Sequence, residues 1–183
     1  MNATVTDALD HATATTASTT ASTTTSAAVP VVTVGERCRR SVRYSRDDIA
    51  AFARLSGNSN PLHHDLQAAQ RARHGEIIAS GEQTTAQMIG LASSHFSRAD
   101  GGLPREVLCL NFNFAFKSPV FAEQTLELGW RVTSVEPHAH LGGLLVQLDG
   151  QAAVRNATPA VIGRGTLLLK TGQRGSVPST PSS

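Results

Sequence analysis

The apolar pattern at the start of the foldable chain changes from alternating to helical. Residues 31–44 contain a short stretch in which apolar and polar side chains alternate, which predicts an edge strand. Ser45 has the character of a helix N-cap and is followed by two aspartates, which suit the first turn of a helix. An apolar stripe over residues 49–55 continues this helix, and Gly57 predicts its end.

Two further helices are predicted before residue 97. Asp65 can cap a short helix that runs to about Ala72. The segment Glu76–Phe96 interleaves Ile, Met and Leu with Ala and Gly, which predicts a long helix able to pack closely against a sheet. Pro61 disfavours helical backbone before it, so residues 58–62 are predicted to form a loop.

Beyond the glycines at 101–102 the apolar period becomes two. Strands are predicted over residues 108–116, 125–135, 141–155 and 161–169. Asp149-Gly150, inside the third of these, indicates either a hairpin turn or a bulge, and residues 156–159 are the stronger signal for a reversal. Helices followed by a run of antiparallel strands predict an α+β domain, in which a curved antiparallel sheet wraps around the long central helix.

The ends of the 183-residue chain differ in composition from its middle. Residues 1–30 are almost entirely Ala, Thr and Ser and predict a disordered tail, because they can bury little apolar surface. Residues 171–183, rich in Gly, Pro and Ser, predict a second disordered tail. Residues 31–170 have the size of one domain. The first tail lacks the features of a secretory signal, and no apolar run reaches the ~20 residues of a membrane span.

The charge and the cysteine content limit the kinds of ligand and the cellular compartment that the sequence predicts. The formal net charge is only +2, and no nucleic-acid motif is present. Arginines cluster at residues 37–43; they either meet the phosphates of a nucleotide-bearing substrate or form a basic strand edge that discourages aggregation. Cys38 and Cys109 lack metal-ligand spacing and are interpreted as buried thiols in a reducing compartment, which favours a cytoplasmic protein. His138 and His140 show no ligand pattern with acids, so no metal site is predicted.

The stretch Ser56-Gly57-Asn58-Ser59-Asn60-Pro61-Leu62-His63 carries the most specific chemical signal. An imidazole lies five residues after a side-chain amide, across an Asn-Pro turn. An imidazole can take and give a proton near neutral pH, and an amide can orient a water molecule. The plainer alternatives are that His63 is an ordinary loop histidine and that Asn58 only forms an Asx turn.

This stretch resembles the Gly-Asp-x-Asn-Pro-Leu-His signature of the MaoC-like (R)-specific enoyl-CoA hydratases and acyl dehydratases. The segment Phe116–Phe121 resembles the Phe-x-x-Pro-Val of that family, and the resemblance covers about residues 34–169. It implies the hotdog fold and the addition or removal of water at the β-carbon of an acyl thioester. It also implies a CoA or acyl-carrier thioester as substrate, no bound cofactor, no membrane partner, and a homodimer.

The resemblance also implies roles for single residues. His63 matches the family histidine, Asn58 stands where the family has aspartate, and Gly75 matches the glycine whose amide faces the thioester oxygen. Asn60 matches the turn that shapes the loop, and Ser80 matches a small polar position early in the central helix. Gln83 and Ala86 match positions that line the acyl tunnel in the family. Gly75 could instead only allow a tight approach to a helix, and Ser80 could be a helix cap.

Asn58 departs from the family pattern in a way that bears on activity. An aspartate can accept a proton at neutral pH, whereas an amide cannot. One positioned acid–base group is worth ~10²–10⁴ in rate, so we expect a weakened or repurposed hydratase in which His63 acts alone. Two alternatives stay open. One is a thioesterase using Glu82, although helical spacing directs Glu82 away from Ser80, and the other is a non-catalytic acyl-thioester-binding subunit.

Overall fold

The computed structural model describes residues 32–99 and 105–171, so the two predicted tails lie outside the described residues except for Thr171. The helices are α1 (Arg46–Ser56), α2 (Leu66–Arg71) and α3 (Gly81–Phe96), with a 3-10 turn at Pro61–His63 between α1 and α2. The strands are β1 (Arg37–Arg43), β2 (Arg105–Phe116), β3 (Thr125–Pro137), β4 (Leu144–Val154) and β5 (Val161–Thr171). No helix in these described ranges is long and apolar enough to span a membrane.

The five strands form one antiparallel sheet in the order β1-β3-β4-β5-β2, which leaves β1 and β2 at its edges. Helix α3 packs against β1, β2, β3 and β4. Trp130 of β3 donates its indole N–H to the carbonyl oxygen of Met88 in α3, at 2.7 Å. The core between helix and sheet includes the buried side chains of Met88, Phe96, Leu128, Val132, Val146, Leu148 and Leu167. The α+β arrangement around a long helix is therefore confirmed.

The helix ends confirm the predicted capping residues. The Ser45 hydroxyl accepts the Asp48 N–H at 3.1 Å while the Asp48 carboxylate accepts the Ser45 N–H at 2.9 Å, which closes a capping box. Gly57 ends α1 in the left-handed conformation with φ of 70°. Asp65 accepts the N–H of Ala68 and begins α2.

The central helix begins five residues later than predicted, at Gly81 instead of Glu76. Residues 77–79 are extended because they pair with the segment after β2. Ala79 donates its N–H to the carbonyl oxygen of Val120 at 2.8 Å, and Ala122 donates to that of Ile77 at 3.0 Å. The helical apolar pattern therefore gives way here to backbone pairing with a distant segment.

Edge strand β2 does not keep the period of two along its whole length. A bulge between Cys109 and Asn111 shifts the register, and Leu108 and Leu110 are 50% and 47% exposed. Cys109 is exposed, so the prediction that it is buried was wrong, whereas the predicted burial of Cys38 is confirmed. Leu108 and Leu110 thus leave apolar surface on an open sheet edge.

Asp149-Gly150 is neither a turn nor a bulge, because both residues pair in continuous register with β3 and β5. The glycine is explained by packing: the ring of Trp130 lies where a side chain at Gly150 would have to be. The chain reverses instead between β4 and β5, where Ala157 donates its N–H to Val154. The stronger reversal signal at residues 156–159 is thus confirmed.

Candidate active site

The loop after α1 is held by two side-chain amides. The Asn58 side-chain oxygen accepts the N–H of Asn60 at 3.1 Å, and the Asn60 side-chain oxygen accepts the N–H of Leu62 at 3.1 Å. These successive Asx turns lead the chain through Pro61 into the 3-10 turn. Asn60 is exposed, and its amide oxygen is used by the loop itself.

His63 is buried, with only 6% of its surface exposed. Its Nδ1 lies 2.7 Å from the carbonyl oxygen of Ile78, and Leu62 beside it accepts the N–H of Ile78 at 3.2 Å. A carbonyl oxygen can only accept a hydrogen bond, so the proton of the neutral ring is on Nδ1. Nε2 then carries the lone pair and is the nitrogen that can accept a proton from a substrate or water.

The start of α3 lies three residues after Ile78. The Ser80 hydroxyl is buried and accepts the N–H of Gln83 at 3.2 Å, so Ser80 is the N-cap of α3. Gly81 is the first residue of the helix, where backbone N–H groups have no acceptor within the helix. A Cβ atom on Gly81 would lie 2.6 Å from Cε1 of Phe116, so the exposed ring of Phe116 would have to move to admit a side chain there.

A cavity of about 620 Å³ opens at this helix end. Ser80, Gly81 and Thr84 line one side of it, and the end of β2 with the following residues lines the other. The side chains of His63 and Asn58 do not line this cavity, and His63 is joined to its wall through the carbonyl group of Ile78. The start of α3 thus forms one wall of the cavity, and His63 lies behind that wall.

Gly75 is not at the helix start. It lies in a turn with φ of 71°, and its N–H donates to the carbonyl oxygen of Ala72 at 3.2 Å. In this structure the Gly75 amide is thus engaged within its own turn, and its donor role stays a prediction. Gly81 starts α3 and lines the main cavity, whereas Gly75 does not line it. Serine at position 80 is the sequence signal for this helix start, since serine caps helices.

The other predicted contact residues are spread around α3. Gln83 is buried and lines a second cavity of about 510 Å³ on the α1 side of the helix. Ala86 is exposed and lines neither cavity. Glu82 is exposed and lines the first cavity with Ser80. The helical spacing argument was therefore wrong on this point, because Glu82 shares the cavity with Ser80 and Gln83 does not.

An ion pair anchors the segment that leads to the site. Arg46, at the start of α1, donates two hydrogen bonds to the Glu76 carboxylate, and these hold the pKa of Glu76 below its ordinary value. Glu76 also accepts the N–H of Ile77 at 2.7 Å. In residues 32–99 and 105–171, no group of three or more His, Cys, Asp or Glu side chains could hold a metal ion.

Comparison with known proteins agrees with this geometry. Residues 12–142 match the protein family described as MaoC like domain. The (R)-specific enoyl-CoA hydratase of Aeromonas caviae is 27% identical over 126 residues, covering 68% of this chain and 89% of that protein. The solved (R)-hydratase from A. caviae involved in PHA biosynthesis has a TM-score of 0.66 at 25% identity, covering 76% of this chain and 98% of the other.

The mitochondrial 3-hydroxyacyl-[acyl-carrier-protein] dehydratase of Arabidopsis thaliana is 27% identical over 95 residues. That match covers 52% of this chain and 52% of the Arabidopsis protein, so the chain spans about half the length of this relative. The likeness to the solved hydratase confirms the predicted hotdog fold.

Proposed function

The chain belongs to the MaoC-like domain family, and on that premise we propose that it adds water to, or removes water from, the β-carbon of an acyl thioester. The observation that carries this proposal is the buried His63, whose Nδ1 is bound to the Ile78 carbonyl group at 2.7 Å. That bond leaves Nε2 as the proton acceptor. In hydration, His63 takes a proton from water as the hydroxyl group adds to the β-carbon, and it then gives that proton to the α-carbon of the enolate. In dehydration, His63 takes the α-proton and gives it to the leaving hydroxyl group.

Asn58 limits the rate of this reaction. Its amide oxygen accepts the N–H of Asn60, and its second lone pair and its NH₂ group can orient a water molecule but cannot take the proton of that water. An aspartate would keep the same turn with one oxygen and offer the other as a proton acceptor. His63 is therefore the single general base in this proposal, and the lost partner costs ~10²–10⁴ in rate.

The enolate oxygen that forms during the reaction needs a fixed hydrogen-bond donor. We propose the N–H of Gly81 for this role in place of that of Gly75. Gly81 is the first residue of a 16-residue helix, where the free N–H and the positive end of the helix dipole both favour developing negative charge. The glycine also lets the backbone border the cavity beside Phe116.

The proposed substrate is a thioester of coenzyme A or of an acyl carrier protein. The Aeromonas caviae relative is named as an enoyl-CoA hydratase, and the Arabidopsis thaliana relative as a 3-hydroxyacyl-[acyl-carrier-protein] dehydratase. The proposed catalytic groups act on the acyl part of the thioester, which is the same whether the carrier is coenzyme A or acyl carrier protein. A cytoplasmic location is also proposed, from the two unpaired thiols of Cys38 and Cys109.

A homodimer is proposed on the open edge of β2. Leu108, Leu110 and Phe116 are exposed there, and an open edge with apolar side chains favours strand pairing with a second copy. Sedimentation should give a dimer, and Leu110→Lys should shift it toward monomer. Val34→Lys, at an exposed apolar position outside β2, should leave the dimer unchanged. A wild-type monomer would contradict the dimer.

The direct test of the activity is hydration of crotonyl-CoA, followed by loss of the conjugated enoyl absorbance. We expect measurable turnover that disappears in His63→Ala. Free thiol measured in the same samples tests the thioesterase alternative, which the position of Glu82 at the cavity rim favours. Thiol release that depends on Glu82 would replace the hydratase proposal, and saturable binding without either reaction would indicate a binding subunit.

A further inference from the structure

A third cavity, of about 540 Å³, lies between β1 and the last turns of α3. Its wall contains the arginines Arg37, Arg39, Arg40 and Arg98, all of them exposed, together with Cys38, Leu91, Ser94 and His95. None of the described residues in this wall is an aspartate or a glutamate. The cavity is therefore a surface depression lined by four positive charges.

Three of these arginines have no carboxylate partner within residues 32–99 and 105–171. In those ranges the guanidinium groups of Arg37, Arg39 and Arg40 form no ion pair and no side-chain hydrogen bond. Arg37 also lies directly opposite Arg131 in the pairing of β1 with β3, a position in which like charges are destabilising. An anion bound among these groups would relieve the repulsion.

The fourth arginine, Arg98, is held in place by a neutral contact. Its Nε donates to the carbonyl oxygen of His95 at 3.1 Å, and its Nη2 bonds Nδ1 of the His95 ring. Arginine can only donate, so Nδ1 is the acceptor, and the other ring nitrogen, Nε2, donates to the Glu36 carboxylate at 2.8 Å. The carboxylate of Glu36 thus binds the far side of His95 and does not pair with Arg98.

The charges from the two chain segments act on the same small volume. Burial raises the pKa of the Cys38 thiol, and the positive charges of Arg98 and Arg40 oppose that rise. Arg40 belongs to β1 and Arg98 follows the end of α3, so the fold brings together cations that are distant in the sequence.

We propose that the third cavity binds a chain of two or three phosphate groups. A guanidinium group can bind two phosphate oxygens at once, and four such groups match the charge of a diphosphate or triphosphate better than that of a single phosphate. None of the described residues in the wall is a phenylalanine, tyrosine or tryptophan on which a base could stack. The phosphate chain is therefore the part of the ligand that the cavity recognises.

This cavity lies at the opposite end of α3 from the proposed catalytic site. Gly81 lines the main cavity and His95 lines the third, and the two residues are separated by about 20 Å along the helix axis. The inference therefore does not rest on the proposed hydratase function. The phosphate chain has two possible sources, which are the diphosphate of a coenzyme A thioester and a free nucleotide or polyphosphate.

The test is calorimetric titration of the full-length protein with inorganic pyrophosphate and tripolyphosphate at constant ionic strength. We expect one saturable site that binds both at least tenfold more tightly than sulfate. Arg40→Gln and Arg98→Gln should each weaken this binding about tenfold, because each removes charge-assisted hydrogen bonds. Adenosine and guanosine triphosphates should bind with equal affinity, since the base is not recognised.

Arg54→Gln is the matched control. It removes the same charge from an exposed position at the end of α1, outside the cavity, and should leave the affinity unchanged. Absence of saturable binding would overturn the site, and so would equal losses in all three variants. The arginines would then form only a basic strand edge.

A second measurement separates the two sources of the phosphate chain. The KM for crotonyl-CoA is compared with that for the N-acetylcysteamine thioester of crotonate, which has no phosphate. If coenzyme A is the source, Arg40→Gln raises only the first KM, and pyrophosphate competes with crotonyl-CoA. If the source is a free compound, neither KM changes. Pyrophosphate binding is measured without turnover, so failure of the hydratase proposal and failure of this site are seen separately.

Discussion

Nδ1 of His63 lies 2.7 Å from the carbonyl oxygen of Ile78, three residues before the helix start that borders the main cavity. This one bond fixes the protonated nitrogen of the neutral ring and directs the lone pair of Nε2 away from the Ile78 carbonyl group. His63 is thereby joined to the segment that leads directly into α3.

The first prediction concerns this tautomer. Nitrogen-15 NMR of the neutral His63 ring should report a protonated Nδ1 and an unprotonated Nε2. His64 provides the comparison in the same spectrum, because it is exposed and its ring lies 3.4 Å from its acceptor. A His63 ring protonated on Nε2 would remove the proposed base.

The second prediction concerns Gly81. Gly81→Ala keeps the backbone N–H but places a methyl group where the exposed Phe116 ring lies, so the ring must move within the cavity, at a small cost in folding stability. Thioester hydration should fall strongly. Phe116→Ala in the same chain makes room for the methyl group, so the double variant should recover part of the activity in a double-mutant cycle.

Gly75→Ala is the matched control for this cycle. Gly75 has φ of 71° and nothing near its missing side chain, so the change should cost roughly 1–2 kcal/mol of stability through backbone strain alone. The rate per folded molecule should stay unchanged. If Gly75→Ala reduces kcat as strongly as Gly81→Ala does, the donor has been assigned to the wrong glycine.

The third prediction concerns the acid stability of α1. Hydrogen bonds from the Ser45 side chain and backbone lower the pKa of Asp48 from its ordinary value of 3.8. A pKa lowered by folding stabilises the protein above that value, and this stabilisation is lost as the pH falls through the lower native pKa. Asp48→Ala should therefore lower the melting temperature at neutral pH, with a difference that shrinks in acid.

Asp47→Ala is the matched control, because Asp47 is in the same first turn but outside the capping box. Thermal unfolding followed by circular dichroism over a pH series should show the smaller effect for Asp47→Ala. An Asp48→Ala difference that grows in acid would contradict the sign of the pKa shift.

Local chemistry predicted much of the fold. Ser45, Gly57 and Asp65 were identified as caps because a short polar or flexible residue at a helix end acts on its immediate neighbours. The strands beyond residue 105 followed from the period of two. These features depend on residues close in sequence, which a single chain displays directly.

Features that depend on distant contacts were missed. The sequence pointed to Gly75 and not to Gly81, because the contact between Gly81 and Phe116 of β2 joins residues 35 positions apart. Asp149-Gly150 reads as a turn because the covering ring of Trp130 comes from another strand. The late start of α3 has the same origin, since residues 77–79 pair with residues more than 40 positions away.

The fourth prediction concerns Asn58, where the chain departs from its family. Asn58→Asp keeps the acceptor for the Asn60 N–H and adds a second oxygen that can take a proton, so hydration should rise by up to ~10²-fold. Asn60→Asp is the matched control. Asn60→Asp also keeps an oxygen that accepts the N–H of Leu62, but it should give no comparable increase in the hydration rate.

The most direct measurement is kcat/KM for crotonyl-CoA hydration in the wild type, Asn58→Asp, His63→Ala and the double variant. We expect a low wild-type value that rises in Asn58→Asp and is lost in both chains without His63. No gain from Asn58→Asp together with unchanged activity in His63→Ala would contradict the account of His63 as the single base.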